Sequence, residues 1–184
     1  MNAQRGVPPD RLRSRLTHRS AEKENMPQVH LVSSRKKAFG IAARKIWPAP
    51  DDASAIVAAH LIIEALLHRY LQRKLRNPER LESVGLRFYQ TVLLSKCFRK
   101  ELDNEAWLWS TLEVLNQIRN RLSHDIHIAN LPDLINRLFL AAGDHIDIHA
   151  PGADPKERED NRLKFFLIIL CGVVRKLQDG NAVI

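Results

Sequence analysis

Cysteine and glycine are scarce in this chain of 184 residues, which contains two cysteines and seven glycines. Both cysteines, Cys97 and Cys171, lie in apolar runs, so we expect two reduced core thiols of the kind found in cytosolic proteins. The chain has no metal-type cysteine pair, no phosphate-binding glycine loop and no dinucleotide fingerprint. We therefore expect neither a resident metal ion nor a cofactor.

Long hydrophobic runs are also missing. The most apolar stretch, residues 165–174, is too short to span a bilayer and is typical of a buried helix. The arginines near the N-terminus are not followed by the apolar core of a secretory signal. These features predict a soluble, cytoplasmic protein that does not bind membranes.

The positive net charge of +8 lies entirely in the N-terminal part of the chain. Residues 1–50 contain eleven Lys and Arg against three Asp and Glu, whereas residues 51–184 contain eighteen of each. We predict that 1–50 is a basic, largely disordered tail, with a short amphipathic helix at 35–47, and that 51–184 is the folded domain. The tail could steer an acidic partner such as RNA, or it could be a solvated arm without a partner.

Apolar residues recur at helical spacing through the folded domain, and no stretch alternates as a strand does. Breaks rich in Asn, Asp, Gly and Pro separate the periodic stretches. The short connections favour antiparallel neighbours, which predicts an all-α bundle of four or five helices running up and down. The predicted helices cover residues 53–76, 81–100, 105–123, 130–142 and 157–178.

A charged residue interrupts the apolar stripe of the third helix of this domain. The stripe consists of Leu108, Leu112, Leu115, position 119 and Leu122. Position 119 is an arginine, and an unpaired buried guanidinium is costly. Arg119 should therefore meet a partner side chain, a subunit interface or a polar pocket. The residues after it read Asn-Arg-Leu-Ser-His and end at His124.

This run resembles the signature of HEPN domains, in which an Arg and a polar residue are followed, after a short spacer, by a His. HEPN domains are small helical bundles of prokaryotic toxins, phage-defence nucleases and related regulators. An upstream apolar helix bearing Glu64, followed by a helix that ends in Arg-Asn-x-x-Ser-His, is also similar to the mannitol operon repressor family. The resemblance covers roughly residues 52–142 and, more loosely, the last helix.

The resemblance implies a metal-independent endoribonuclease whose site lies at a homodimer interface. His124 could act as general base or acid when the RNA 2′-OH attacks the adjacent phosphorus. Arg119 could hold the phosphate through its fixed donors, and Asn120 could orient either group. Glu64 and Ser123 would support them. Such an enzyme could be a toxin or a phage-defence effector, restrained by an antitoxin or another regulatory protein.

A non-catalytic interpretation uses the same residues for packing. Arg119 could pair with Glu64 inside the bundle, and His124 could stabilise the end of its helix through the helix dipole. The protein would then be a HEPN-like regulator that binds other proteins. Geometry adds a condition, because five residues of an unbroken helix separate side chains by about 140°. Arg119 and His124 converge only if the helix bends or ends near Ser123, or if a second subunit supplies one of them.

Other histidines carry weaker signals. His145, Asp147 and His149 alternate in a way that could bind a metal ion, but a polar loop is the simpler interpretation. His60 and His68, on the first helix of the domain, are interpreted as ordinary side chains.

Overall fold

The computed structural model describes residues 33–99, 105–124, 128–148 and 155–178. These ranges contain no strand, so the predicted all-α class is confirmed. A 3₁₀ turn, Gly143–His145, follows the sixth helix. Residues 1–32, which hold most of the predicted tail, lie outside the described ranges. The helices are α1 (Ser33–Ile46), α2 (Asp52–Lys74), α3 (Glu79–Val84), α4 (Phe88–Cys97), α5 (Ala106–His124), α6 (Leu131–Ala142), α7 (Pro155–Asp160) and α8 (Arg162–Gln178).

Helix α2 is central, because α1, α4, α5 and α8 all pack against it. It begins where the Asp51 carboxylate accepts a hydrogen bond of 2.7 Å from the backbone N–H of Ser54, which satisfies one free donor of the first turn. This bond also lowers the pKa of Asp51. By length and composition alone α2 could cross a membrane, as many core helices could, and half of its most apolar window is buried among the described residues.

Helix α1 belongs to the packed core. Ala42 and Ile46 are fully buried against α2 and α8. The Lys164 Nζ donates hydrogen bonds of 3.0 and 2.8 Å to the backbone carbonyls of Trp47 and Ala49, which holds the end of this segment on α8. The predicted start of the folded domain at residue 51 is therefore corrected, since the core begins inside α1. The charge pattern suggested the wrong limit because α1 is basic yet amphipathic.

The predicted helix over 81–100 is two helices. Gly85 ends α3 in the left-handed conformation, with φ of 61°, which a residue with a side chain rarely adopts. Helix α4 then starts at Phe88, after Arg87 in an extended conformation. The last predicted helix, 157–178, is also divided, because a turn at Asn161 separates α7 from α8. Both errors arise because apolar spacing continues across a short break.

The two cysteines have different environments. Cys171 is buried in α8, and burial raises the pKa of its thiol to about 12. Cys97 is exposed at the end of α4, so the prediction of two core thiols is wrong for this residue. The inner side of the short helix α4 consists instead of Phe88, Thr91, Val92 and Ser95.

Candidate functional site

An open cleft of about 820 Å³ lies where α2, α4 and α5 meet. Helices α2 and α5 line it together with the N-terminal turn of α4. All five site residues predicted from the sequence line this cleft, together with six that were not predicted. The lining residues are His60 and Glu64 of α2, Arg87, Phe88, Tyr89 and Gln90 at α4, and Asn116, Arg119, Asn120, Ser123 and His124 of α5.

Helix α5 presents its polar face to the cleft and its apolar face to the core. The cleft residues lie at positions 116, 119, 120, 123 and 124, a spacing that places them along one side of a helix. The buried face consists of Leu108, Trp109, Thr111, Leu112, Leu115, Ile118 and Leu122. The fourth position of the buried stripe is thus Ile118, and the prediction that Arg119 occupies it is corrected.

Arg119 is half-buried and faces the cleft. Its Nη1 lies 3.5 Å from the Oδ1 of Asn120, a long hydrogen bond that leaves the other guanidinium donors available. Within the described residues no ion pair joins Arg119 to Glu64, which is also half-buried in the cleft. The charge of Arg119 is therefore not neutralised by the carboxylate that the sequence suggested as its partner.

His124 is exposed and forms the last residue of α5. The helix runs without a break from Ala106 through this histidine, so Arg119 and His124 keep the separation of about 140° around the helix axis that an unbroken helix imposes. Arg119 and His124 lie near opposite edges of the polar face, with Asn120 and Ser123 between them. The Ser123 hydroxyl donates a hydrogen bond of 2.6 Å to the backbone carbonyl of Asn120. Its bonding is therefore local to the last turn of α5.

His60 is one of the six lining residues that the sequence did not predict. Its side chain is 3% exposed and stacks on the ring of Phe88, with centroids 4.0 Å apart. The His60 Nε2 lies 3.4 Å from the Oδ1 of Asn116, while its Nδ1 is buried without a hydrogen-bond partner among the described residues. Because an amide oxygen can only accept, Nε2 carries the proton and Nδ1 a lone pair. The sequence led us to interpret His60 as an ordinary side chain, and the structure places it, buried, in the lining of the cleft.

The surroundings of His60 favour its neutral form. Burial lowers the pKa of His60, and the positive charge of Arg119 lowers it further. The hydrogen bond to Asn116 and the carboxylate of Glu64 act in the opposite direction but are weaker than burial.

Acid should therefore destabilise the protein through His60. The unfolded chain takes up a proton at this residue near pH 6.5, the ordinary value, whereas the folded protein does so only at a lower pH. The free energy of unfolding should fall as the pH decreases below about 6.5 and level off below the folded pKa. Urea titrations between pH 7.5 and 5 measure this loss.

The variant His60→Phe should remove this part of the pH dependence. His68→Phe is the matched control, since His68 lies on the same helix, 3.4 Å from the Thr91 hydroxyl and outside the cleft. A pH profile of His60→Phe that is as steep as that of the unmodified protein would contradict the assignment of a buried neutral imidazole.

The lining residues at the start of α4 include a cationic and two aromatic side chains. Arg87 precedes the helix, and its backbone N–H donates a hydrogen bond of 2.9 Å to the Oε1 of Gln90. The side chain of Tyr89 is 49% exposed. Among the described residues that line the cleft, the two positive charges of Arg87 and Arg119 outnumber the one negative charge of Glu64. This balance suits an anionic ligand.

In the described part of the chain, no three His, Cys, Asp or Glu side chains are grouped so that they could bind a metal ion. His145 instead stacks on Trp107, with centroids 4.8 Å apart, and His149 lies outside the described residues.

Comparisons with protein-family models, with curated proteins and with solved structures return no match. The chemistry of the cleft must therefore be inferred from its own residues.

Proposed function

We propose that this protein is a metal-independent endoribonuclease of the HEPN type, with Arg119 and His124 in its active site. One observation carries the proposal: both side chains line the same open cleft, and Arg119 has no ion pair with Glu64 within the described residues. A buried Arg119–Glu64 pair would have favoured a structural role for the motif. The cleft instead presents an accessible guanidinium and an accessible imidazole.

The reaction that these groups suit is transesterification of RNA. A base removes the proton of the 2′-OH, the oxygen attacks the adjacent phosphorus, and the bond from phosphorus to the 5′ oxygen breaks. The products are a 2′,3′-cyclic phosphate and a 5′-hydroxyl, whose oxygen receives a proton from an acid. His124 serves as base or acid, because imidazole exchanges protons near neutral pH. Arg119 stabilises the charge that develops on the phosphate oxygens, and Asn120 orients Arg119.

The proposed assembly is a homodimer of up-and-down HEPN-like bundles with the cleft near the two-fold axis. Exposed apolar side chains on two of the helices that line the cleft support this arrangement. Val57 and Leu61, on α2, are 38% and 56% exposed, and helical spacing places both on the same side of His60. Leu93 of α4 is 39% exposed. Burying such side chains against a second copy would be favourable.

The proposed biological setting is the cytoplasm, where the enzyme would act as a toxin or a phage-defence effector under the control of an antitoxin-like protein. An unrestrained ribonuclease of this kind harms its own cell, so a partner that covers the cleft would be needed. The basic segment 1–50 could bring RNA to the cleft, since it holds the whole net positive charge.

The decisive experiment compares RNA with a matched strand that lacks the attacking group. The purified protein is incubated with a single-stranded RNA in EDTA, and with the same RNA carrying 2′-deoxyribose at each mapped cut site. Cleavage of the first and survival of the second, with 2′,3′-cyclic phosphate ends, is the expected result. Equal cleavage of both strands, or cleavage that EDTA stops, would overturn the mechanism. Intact RNA throughout would favour the non-catalytic regulator.

A further inference from the structure

The Asn116 end of the cleft contains a second polar arrangement, separate from the Arg119–His124 pair. Asn116 is half-buried and lies one helical turn before Asn120 on the same face of α5. With a rise of 1.5 Å per residue, it lies about 4.5 Å along the axis from Arg119 and about 12 Å from His124. A ligand group at Asn116 would therefore not be the one that meets His124.

The orientation of the Asn116 amide is set by a buried neighbour. The Nε2–H of His60 donates to the Oδ1 of Asn116 at 3.4 Å, so the two N–H donors of the amide are directed away from the imidazole. His60 cannot easily turn, because it is 97% buried and its ring stacks on Phe88. Its Nδ1 has no hydrogen-bond partner within the described residues, so no other hydrogen bond of this ring competes with the one to Asn116.

The chemistry of the surroundings selects an anion as the ligand. Amide N–H groups and guanidinium groups donate to phosphate oxygens, and both Arg87 and Arg119 line the same cleft. A hydrogen bond to a charged group is stronger than one between neutral groups. Glu64 is the single carboxylate among the described residues that line the cleft, so the donors of Asn116, Arg87 and Arg119 outweigh its repulsion of a phosphate.

We propose that His60 is a positioning residue that holds Asn116 as a donor, and that this end of the cleft binds a second backbone phosphate of the RNA strand, next to the one that is cleaved. This inference rests on the proposed function, because it assumes that the ligand is RNA. It adds a binding position for a neighbouring nucleotide, and it makes a strand of several nucleotides a better ligand than a dinucleotide.

The test uses binding of a 2′-O-methyl RNA decamer, which cannot undergo cleavage by the 2′-OH, measured by fluorescence anisotropy on the full chain. Asn116→Ala and His60→Phe should each weaken binding about tenfold, the effect expected for one hydrogen bond to a phosphate. Phenylalanine keeps the ring that stacks on Phe88 and removes the donor. His60→Gln, which restores a donor, should bind within about twofold of the unmodified protein.

His68→Phe is again the matched control and should bind as the unmodified protein does. Unchanged binding by Asn116→Ala and His60→Phe, with weaker binding by Arg119→Ala, would overturn the second phosphate position while sparing the role of Arg119. Should His60→Phe fail to fold, Asn116→Ala decides the question alone, because Asn116 is only half-buried and lines the open cleft.

The two proposals fail in distinguishable ways. If the variants lose binding but the unmodified protein never cleaves RNA, the phosphate position stands and the ribonuclease is wrong. If RNA is cleaved and the Asn116 and His60 variants bind and cleave normally, only the phosphate position is wrong. A protein that neither binds the decamer nor cleaves RNA would overturn both.

Discussion

Replacing His124 by alanine should reduce the rate of RNA cleavage by a factor of about 10² to 10⁴, the usual contribution of a general acid or base. The side chain is exposed at the end of α5, so its removal should leave the fold intact. The measurement is the single-turnover rate on a single-stranded RNA, with thermal unfolding as a check of structure. His145→Ala is the control, since His145 is exposed, stacks on Trp107 and does not line the cleft.

Arg119→Ala tests the second half of the same pair and should lower the rate by about 10² to 10³ through loss of charge stabilisation. Arg119→Lys should recover only part of the rate, because an ammonium group lacks the planar set of donors. Arg121→Ala removes the same charge two residues away, from an exposed position outside the cleft, and should be almost silent. Equal losses from Arg121→Ala and Arg119→Ala would show that only the net charge of α5 matters.

A second large effect is expected from Ile46→Ala, at the end of α1. Ile46 is fully buried, and removing buried methyl and methylene groups costs about 2 to 5 kcal/mol of unfolding free energy through lost burial and a residual cavity. The measurement is urea unfolding followed by circular dichroism. A loss of this size would show that a helix inside the basic N-terminal part stabilises the whole domain.

Ile41→Ala is the matched control for that prediction. It makes the same change on the same helix, but the Ile41 side chain is 46% exposed, so the expected change is within about 0.5 kcal/mol. If both variants unfolded at the same urea concentration as the unmodified protein, the packing of α1 on α2 and α8 would be contradicted. A chain that begins at residue 51 should then be equally stable.

The helices could be predicted well where the local pattern was strong. Apolar spacing located α2, α5 and α6, because these segments carry long amphipathic or apolar repeats with clear ends such as Asn77-Pro78. The breaks at Gly85 and Asn161 were missed, since the three residues between α3 and α4 and the single residue between α7 and α8 hardly disturb the spacing of apolar residues.

The candidate site could be predicted only where a motif made it visible. Arg119, Asn120 and His124 were found because they are close together in sequence and resemble a known signature. His60, Arg87 and Asn116 had no such signal, since they come from three parts of the chain. The available clue was a histidine in an otherwise apolar stretch of α2, and an isolated histidine of this kind occurs too often to indicate a site.

What the sequence determined by itself was the all-α class, the position of the run from Arg119 to His124 at the end of a helix, and the location of the excess positive charge. Those properties depend on neighbours within a turn or two of helix. Only the tertiary structure decided that α1 joins the core, that Ile118 rather than Arg119 is buried, and that His60 meets Asn116. Such contacts depend on how helices far apart in sequence pack together, and the rotation of a helix by part of a turn decides which side chain reaches the cleft.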